Sequence, residues 1–249
     1  MAKESNCNVK VAVILAAGMG VRLHRVTNGL IPKGFLQLEG RSLIERSLEK
    51  LFNNGIEKII IVTGHLHHYY DELAHNNNRI VTVRNFEYAT TGSMASMAAA
   101  HSIVNEDFLL LESDLIYENR AIQVLQQMQE SECILLSGET KSGDEVYVEV
   151  QNEKIHKLSK DKQSLNAIYG EWVGICKISK ALLDLMMTEY QNNTNPQYHY
   201  EYAIEDVAQK YAVGYYKIDD LVWSEIDDEN HLVRVKQVII PKLAAKKEI

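Results

Sequence analysis

Residues 9–35 read VKVAVILAAGMGVRLHRVTNGLIPKGF, and this stretch decides the fold. It opens with an apolar run from Val11 to Leu15 that is rich in β-branched residues, which is typical of a strand buried on both faces. Two alanines and two glycines come next, and their small size lets backbone N–H groups approach a polyphosphate. We therefore expect a buried strand followed by a phosphate-binding loop. The residues predicted to contact a nucleotide here are Leu15, Ala16, Ala17, Gly18, Met19 and Gly20.

Two cationic side chains, Arg22 and Lys33, follow the loop. They bring positive charge to phosphate oxygens, which a glycine loop alone lacks. The dinucleotide-binding fingerprint needs a third glycine three positions after Gly20, where this chain has Leu23. The P-loop pattern G-x-x-x-x-G-K-[ST] is also missing from the sequence. The loop therefore handles phosphate by a different motif.

The composition is that of an ordinary globular protein. The chain has 249 residues, 46% of them hydrophobic and 24% charged, enough for one large domain with a substantial core. Its net charge of −8 argues against nucleic-acid binding, because phosphate backbones attract a basic surface. Every apolar segment is too short for a membrane span, and the first residues lack the apolar stretch of a signal peptide. We expect a cytoplasmic protein with no membrane or nucleic-acid partner.

Segments typical of strands and of helices alternate after the loop. Helices are predicted at residues 42–54, 69–75 and 120–130, and buried strands at residues 58–63, 80–84, 108–111 and 133–137. This alternation predicts βαβ units and an α/β fold with a Rossmann-like, doubly wound, mostly parallel sheet. Ligands of such sheets bind beyond the carboxyl ends of the strands, which is where the glycine loop falls.

The pattern changes near residue 140. Residues 146–150 read VYVEV and alternate between apolar and polar, and residues 155–158 follow at once, which predicts two antiparallel strands. We expect a small antiparallel β insertion at about residues 140–205 that forms the acceptor side of the pocket. The whole chain, residues 1–249, is expected to be a single domain.

Polar residues at the ends of predicted elements are candidates for function. Asp114 follows a buried strand, and a carboxylate there is costly unless it binds a cation or caps a backbone. Mg²⁺ prefers one or two carboxylates plus phosphate oxygens, so Asp114 is interpreted as a metal ligand. Glu112 is expected at the surface, the alternative being a partner of the metal site. Ser93 and Asp228 are expected to cap the helices that follow them, the second of which is predicted at residues 231–238.

The cysteines and a histidine-rich segment could also bind metal ions, but neither set is predicted to do so. The three cysteines, Cys7, Cys133 and Cys176, have no metal-like spacing, and we expect free thiols in a reducing compartment. Three histidines lie within residues 65–68, and two of their imidazoles could meet at a strand end. No nearby carboxylate or thiolate completes a coordination sphere, so exposed loop histidines are the preferred interpretation.

The pattern L-A-A-G-x-G-x-R followed by P-K resembles the signature of the nucleotidyltransferases that couple an NTP to a phosphorylated small molecule. Members of that family usually carry Ser or Thr where this chain has Val21, so one hydroxyl contact to phosphate is missing. The resemblance covers nearly the whole chain and implies the nucleotidyltransferase fold. By this resemblance the catalytic cations are Arg22, Lys33 and Lys160, the alternative for Lys160 being a solvated lysine.

The same resemblance implies a nucleotide site and a metal site. The family has an aspartate where this chain has Asp114, and Asp227 in the E-I-D segment matches the family's second aspartate. These two carboxylates would hold Mg²⁺. The turn and helix start after residue 89 would close over the base, with Gly92 and Ser93 approaching cytosine and Ser96 as a second contact.

Within the family, the segments I-P-K-G-F and E-I-D are most similar to the cytidylyltransferases that activate phosphocholine or 2-aminoethylphosphonate. The S-M-A-S and Y-H-Y-E-Y segments favour 2-aminoethylphosphonate. Aromatic side chains beside carboxylates form a cage for an ammonium group, although they are also typical of any core. The acceptor-binding candidates are Asp144, Tyr147, Glu171, Trp172, Tyr198 and Glu201.

The expected activity is therefore CTP-dependent cytidylyl transfer to 2-aminoethylphosphonate, a step of phosphonate biosynthesis that releases pyrophosphate. The alternatives are a phosphocholine cytidylyltransferase, a sugar-1-phosphate nucleotidyltransferase, and a non-catalytic nucleotide-binding module. We also expect a homodimer. The basic tail at residues 242–249 is interpreted either as a chain end or as a linker to a fused partner, for which a transaminase is the candidate.

Overall fold

The computed structural model describes residues 8–249. Its strands are β1 (Val11–Ala16), β2 (Gln37–Leu38), β3 (Arg41–Ser42), β4 (Lys58–Thr63), β5 (Ile80–Arg84), β6 (Phe108–Glu112), β7 (Leu115–Tyr117), β8 (Cys133–Ser137), β9 (Tyr147–Gln151), β10 (Lys154–Ser159), β11 (Gly170–Ile178), β12 (Tyr215–Ile218) and β13 (Trp223–Glu225). Its helices are α1 (His24–Thr27), α2 (Leu43–Asn53), α3 (His68–Asn76), α4 (Ser93–His101), α5 (Arg120–Gln127), α6 (Lys180–Asn192), α7 (Tyr200–Ala208), α8 (Glu229–Arg234) and α9 (Ile240–Ala245).

The predicted parallel sheet is confirmed by the order β6-β1-β4-β5, in which all three neighbouring pairs are parallel. Val13 of β1 lies between Ile60 of β4 and Leu110 of β6. Strand β11 joins the free edge of β6 in the antiparallel direction and also pairs with β8 and β9. The antiparallel pair β9–β10 lies where the sequence predicts one.

Both faces of the sheet are covered, which explains why its strands have continuous apolar runs. Val13 and its neighbours two residues away contact one core cluster, to which α4, α6 and α7 contribute. Ile14 faces the opposite cluster, which includes side chains of α2, α3 and α5. The segments that follow the carboxyl ends of β1 and β6 hold Arg22 and Asp114, two of the polar residues that the sequence singled out.

Strand β11 bends at Gly174, whose φ of +78° is accessible to glycine at little cost. The register with β8 shifts between Trp172 and Cys176, so the strand changes direction there. Its second half pairs with β6, and its first half reaches β9. This bend carries Trp172 over the carboxyl end of the parallel sheet.

The start of α4 differs from the prediction. Gly92 is the N-cap residue and Ser93 is the first helical residue, so Ser93 does not cap the helix. Its hydroxyl instead accepts a hydrogen bond from the backbone N–H of Tyr200 at 3.0 Å. The sequence showed a good capping residue but not the competing donor more than 100 positions away. Asp228, by contrast, caps α8 as predicted and accepts from the N–H of His231.

The C-terminal helix is longer than residues 231–238. A π-helical turn at Val235–Ile239 connects α8 to α9, and Pro241 lies in the first turn of α9, where a missing N–H costs little. Leu243 is buried, and Lys246 pairs with Glu118. The basic tail therefore packs on the domain. Among residues 8–249, no helix combines the length and the hydropathy needed to cross a membrane.

Candidate functional site

A cavity of about 430 Å³ opens at the carboxyl ends of β1 and β6, under the bent strand β11. Most of the residues proposed from the sequence line it, although they come from segments more than 200 positions apart. The predicted residues in its wall are Leu15, Ala16, Ala17, Gly18, Arg22, Lys33, Gly92, Ser93, Ser96, Asp114, Asp144, Lys160, Trp172, Glu201 and Asp227.

Two residues of the glycine loop lie outside the cavity wall. The side chain of Met19 is exposed to solvent. Gly20 has a φ of +60° and lies behind the cavity, against the aliphatic part of Lys33. A Cβ atom at Gly20 would lie 2.9 Å from Cγ of Lys33, so only glycine lets the two segments approach this closely. Gly20 thus supports the lysine.

Three of the acceptor-binding candidates also lie outside the wall, each with its own hydrogen-bond partner. Tyr147 donates to Glu145 at 3.0 Å. Glu171 accepts from the N–H of Thr140 at 2.9 Å. Tyr198 is buried in the core, where its hydroxyl donates to a carboxylate of α7. These contacts leave only Asp144, Trp172 and Glu201 as cavity-facing members of that set.

Cations and carboxylates alternate across the floor of the cavity. The ammonium of Lys33 donates to Asp114 and, at 2.6 Å, to Asp227. Arg22 donates to Asp227 at 2.6 Å and to Asp144 at 3.2 Å. We call this set the ion-pair row, and its last member is Lys160, which donates to Asp144 at 2.7 Å. The row neutralises three carboxylates with three cations.

Burial and charge act in opposite directions on the pKa values of this row. Burial lowers the pKa of Lys33, but the negative charges of Asp114 and Asp227 outweigh it and raise the pKa well above that of an ordinary lysine. Burial raises the pKa of Asp227, but Lys33 and Arg22 outweigh it and hold the pKa below its usual range. For Glu225 the balance is the reverse: burial, followed by the charges of Asp227 and Asp114, outweighs the lowering effect of Lys33 and Lys160 and raises its pKa to about 8.

The carboxylates fit a divalent metal ion. Oδ1 of Asp114 is buried and has no hydrogen-bond partner, which is costly for a carboxylate oxygen unless a cation approaches it. Oxygen atoms of Asp144, Glu225 and Asp227 lie within 4.8 Å of one another. Oxygen ligands of this kind suit hard cations. In the part of the chain that the structure describes, Asp144, Glu225 and Asp227 form the only group of three or more side chains placed to hold a metal ion. Asp114 and the histidines at residues 65–68 are not members of that group.

The turn before α4 forms one wall of the cavity. Gly92 donates its N–H to Pro196 at 2.8 Å and packs directly on the backbone of Tyr198. The N–H and hydroxyl of Ser93 both lie near Nδ1 of His199, at 3.3 and 3.2 Å. Ser96 accepts a hydrogen bond from a buried asparagine amide at 3.1 Å. This wall is therefore built from two chain segments that hold each other in place.

Next to this wall lie residues that the sequence analysis missed or misplaced. Glu112 lines the cavity instead of lying on the surface, and it accepts from the hydroxyl of Tyr200 at 2.8 Å. That hydroxyl accepts from the indole of Trp172 at 3.2 Å. Burial, together with the nearby charge of Glu201, raises the pKa of Glu112 well above its ordinary value. The pKa of Glu201 is raised as well, first by burial.

The chain matches a known protein family over most of the segments that build the cavity. The family described as the MobA-like NTP transferase domain matches residues 12–173. The chain is 26% identical over 236 residues to the CMP-5'-(3-aminopropyl)phosphonate synthase of Streptomyces rubellomurinus, covering 87% of this chain and 37% of that protein. It is 24% identical over 229 residues to the 2-aminoethylphosphonate cytidylyltransferase of Lancefieldella rimae, covering 90% of this chain and 91% of that protein.

Among solved structures, the inositol-1-phosphate CTP transferase of T. maritima superimposes with a TM-score of 0.81, at 18% identity and with 96% of both chains covered. At this identity the likeness concerns the fold. The chain spans little more than a third of the length of the Streptomyces relative and nearly all of the Lancefieldella relative.

Proposed function

The chain belongs to the family of MobA-like NTP transferase domains, and from that premise we propose that it couples CTP to 2-aminoethylphosphonate, forming CMP-2-aminoethylphosphonate and pyrophosphate. The similarity to the aminopropylphosphonate synthase and the aminoethylphosphonate cytidylyltransferase supports cytidylyl transfer to an aminoalkylphosphonate. The charged side chains of the cavity support the same acceptor class.

The observation that carries the proposal is that one cavity holds both cations and buried carboxylates. Arg22 and Lys33 line it and suit phosphate or phosphonate oxygens. Glu112 and Glu201 line it as well, together with Trp172. Two buried carboxylates that repel each other are stabilised by a cation placed between them. An acceptor with an anionic group at one end and an ammonium group at the other matches both.

The reaction then needs no general base. A phosphonate oxygen of the acceptor is already ionised at neutral pH and attacks the α-phosphorus of CTP, while the bond from that phosphorus to the pyrophosphate oxygen breaks. The backbone of the glycine loop and Arg22 hold the departing phosphates, and Lys33 neutralises charge that builds up at the leaving oxygen. Lys160 approaches the oxygens of the acceptor. Asp114 and Asp227 would hold Mg²⁺, which would supply further charge neutralisation during the transfer.

The nearest alternative is phosphocholine as the acceptor, and the carboxylates distinguish the two. A primary ammonium donates up to three hydrogen bonds, whereas a trimethylammonium donates none. Glu112 and Glu201 offer hydrogen-bond acceptors on the cavity wall, which favours the primary amine. A sugar 1-phosphate carries no positive charge and leaves both carboxylates without a counterion.

The test is pyrophosphate release with Mg²⁺, crossing the four NTPs with 2-aminoethylphosphonate, phosphocholine and glucose 1-phosphate. We expect turnover with CTP and the aminophosphonate. Glu112→Gln should then raise the KM for 2-aminoethylphosphonate by about tenfold or more, as for the loss of one charge-assisted hydrogen bond. The matched control is Glu57→Gln, which removes a surface carboxylate paired with Lys10. It should change neither the kcat nor the KM for 2-aminoethylphosphonate.

Turnover with a different nucleotide and acceptor would overturn the proposed substrates. CTP binding without turnover of any acceptor would favour the non-catalytic nucleotide-binding module. The expected homodimer and the fused transaminase stay predictions. Light scattering of the purified chain tests the first, and the length of the protein isolated from its source tests the second.

A further inference from the structure

The ammonium of Lys33 lies between the two carboxylates proposed to hold the metal ion. It donates to Asp114 and to Asp227, whose other oxygen is already paired with Arg22. All three members of the Lys33 contact are largely buried, with side-chain exposures of 18%, 10% and 15% for the lysine and the two aspartates. The lysine therefore acts as a counterion where a divalent cation would bind.

The position of Lys33 is fixed by its neighbours. It begins a short 3-10 turn, Lys33–Phe35, in which a Cβ atom at Gly34 would lie 2.7 Å from the hydroxyl of the buried Tyr70. On its other side Gly20 of the glycine loop packs against the lysine's Cγ. The loop proposed to take the phosphates of CTP is thus in direct contact with the side chain that neutralises the two aspartates.

We propose that Lys33 keeps divalent cations off Asp114 and Asp227 until the phosphates of the nucleotide draw its ammonium away, so that the metal binds tightly only together with the nucleotide. This inference rests on the proposed function for the identity of the two ligands. Lys33 then exchanges one set of anionic partners for another, from carboxylate to phosphate oxygens.

Simple electrostatics supports the exchange. An ammonium and a divalent cation repel each other, and they cannot both take the same carboxylate oxygens at hydrogen-bond and coordination distances. A buried lysine without any anion pays a large desolvation cost, so Lys33 stays on the aspartates until a replacement anion arrives. A triphosphate bound against the cavity-lining part of the glycine loop, residues 16–18, would provide that anion. By linkage, a nucleotide that strengthens metal binding is itself bound more strongly in the presence of the metal.

The experiment is a titration with Mn²⁺, followed through the electron paramagnetic resonance signal of the free ion, without nucleotide or acceptor. Lys33→Met removes the charge and keeps the length of the side chain. We expect it to bind Mn²⁺ about tenfold more tightly than the wild type, because two charge-assisted hydrogen bonds no longer have to break. Lys217→Met is the matched control, since it removes one positive charge from a pair with Asp219 outside the cavity.

Adding Asp114→Asn to Lys33→Met should return Mn²⁺ binding to the wild-type level, which locates the new affinity at this carboxylate. A Lys33→Met variant that binds Mn²⁺ no better than Lys217→Met would overturn the inference. The wild type provides an independent measurement. An unreactive methylene analogue of CTP should tighten its Mn²⁺ binding by at least about tenfold, beyond the metal bound by the analogue alone.

Equal Mn²⁺ affinity of the wild type with and without the analogue would contradict the exchange. Failure of the proposed function is seen elsewhere, as absence of pyrophosphate release, and it leaves the nucleotide-free comparison of the variants unchanged. Pyrophosphate release therefore tests the proposed function, and Mn²⁺ binding tests the role of Lys33.

Discussion

Replacing Gly92 by alanine is expected to destabilise the whole domain. A Cβ atom at this position would lie 2.3 Å from the backbone oxygen of Tyr198, 2.7 Å from its carbonyl carbon and 2.8 Å from the carbonyl carbon of Gln197. All three are backbone atoms, so no side-chain rotation relieves the overlap. The two segments must separate by about 1 Å to reach ordinary van der Waals contact.

That separation strains two hydrogen bonds across the same contact, from Gly92 to Pro196 at 2.8 Å and from Met94 to Tyr198 at 3.2 Å. Overpacking of a tight site costs about 1–3 kcal/mol, and each neutral hydrogen bond contributes about 0.5–1.5 kcal/mol. We therefore expect Gly92→Ala to lose about 2–6 kcal/mol of unfolding free energy. For a chain of this size the melting temperature should fall by on the order of 10 °C.

The assay is urea unfolding followed by circular dichroism, with Gly18→Ala as the matched control. Gly18 has no heavy atom within 4 Å of its Cβ position, so alanine there should leave the free energy of unfolding unchanged or raise it by up to about 1 kcal/mol. Its methyl group would nevertheless project beside the proposed phosphate site and weaken CTP binding. A Gly92→Ala protein within about 0.5 kcal/mol of the wild type would refute the steric reasoning.

Two further perturbations test the fold. Ser42 and Glu45 form a reciprocal capping box at the start of α2, so Ser42→Ala should lower the free energy of unfolding by about 1 kcal/mol in urea titrations, and an unchanged midpoint would count against it. Burial raises the pKa of the Cys133 thiol to about 12, above its ordinary value of 9.0, so the protonated form is favoured by folding. The stability linked to this thiol is complete below pH 9 and falls as the pH rises towards 12, and Cys133→Ala should flatten that decline. If the unfolding free energy of Cys133→Ala declined with pH as steeply as that of the wild type, the assigned role of this thiol would be wrong.

Cys133 and Cys176 are both buried free thiols, in agreement with the sequence analysis, while Cys7 lies outside the described residues. The strands and helices of the parallel half were also predictable, because burial on both faces leaves an apolar run that is visible in the sequence. Lys58–Thr63 is one such run, and its observed bounds are the predicted ones. Local patterns of this kind depend only on neighbours in the chain.

Residues whose role depends on distant partners were not predictable in the same way. Glu112 ends β6, and its place in the sequence predicts a solvated charge. In the structure it accepts a hydrogen bond from Tyr200 of α7, which is 88 positions away in the sequence. Glu171 and Tyr198 read as members of an ammonium cage, yet each is held by a partner outside the cavity. The apolar sequence around Glu112 was the available signal, since a carboxylate at the end of a buried strand is rarely free of partners.

The balance of charge in the cavity explains why these distant partners matter. Its wall carries three permanent cations, Arg22, Lys33 and Lys160, against seven carboxylates. The seven carboxylates are Glu112, Asp114, Asp144, Glu145, Glu201, Glu225 and Asp227. A cavity wall with excess negative charge would repel a triphosphate unless cations bound together with the nucleotide.

Part of that excess is suppressed, because burial raises the pKa values of Glu112, Glu201 and Glu225. The ion-pair row neutralises Asp114, Asp144 and Asp227. Under the proposed function, a triphosphate would take Lys33 and Arg22 from this row, the released aspartates would need a divalent ion, and Glu112 and Glu201 would need an ammonium. On that proposal the ligands compensate one another's charges, and an acceptor without a positive group would leave Glu112 and Glu201 without a counterion.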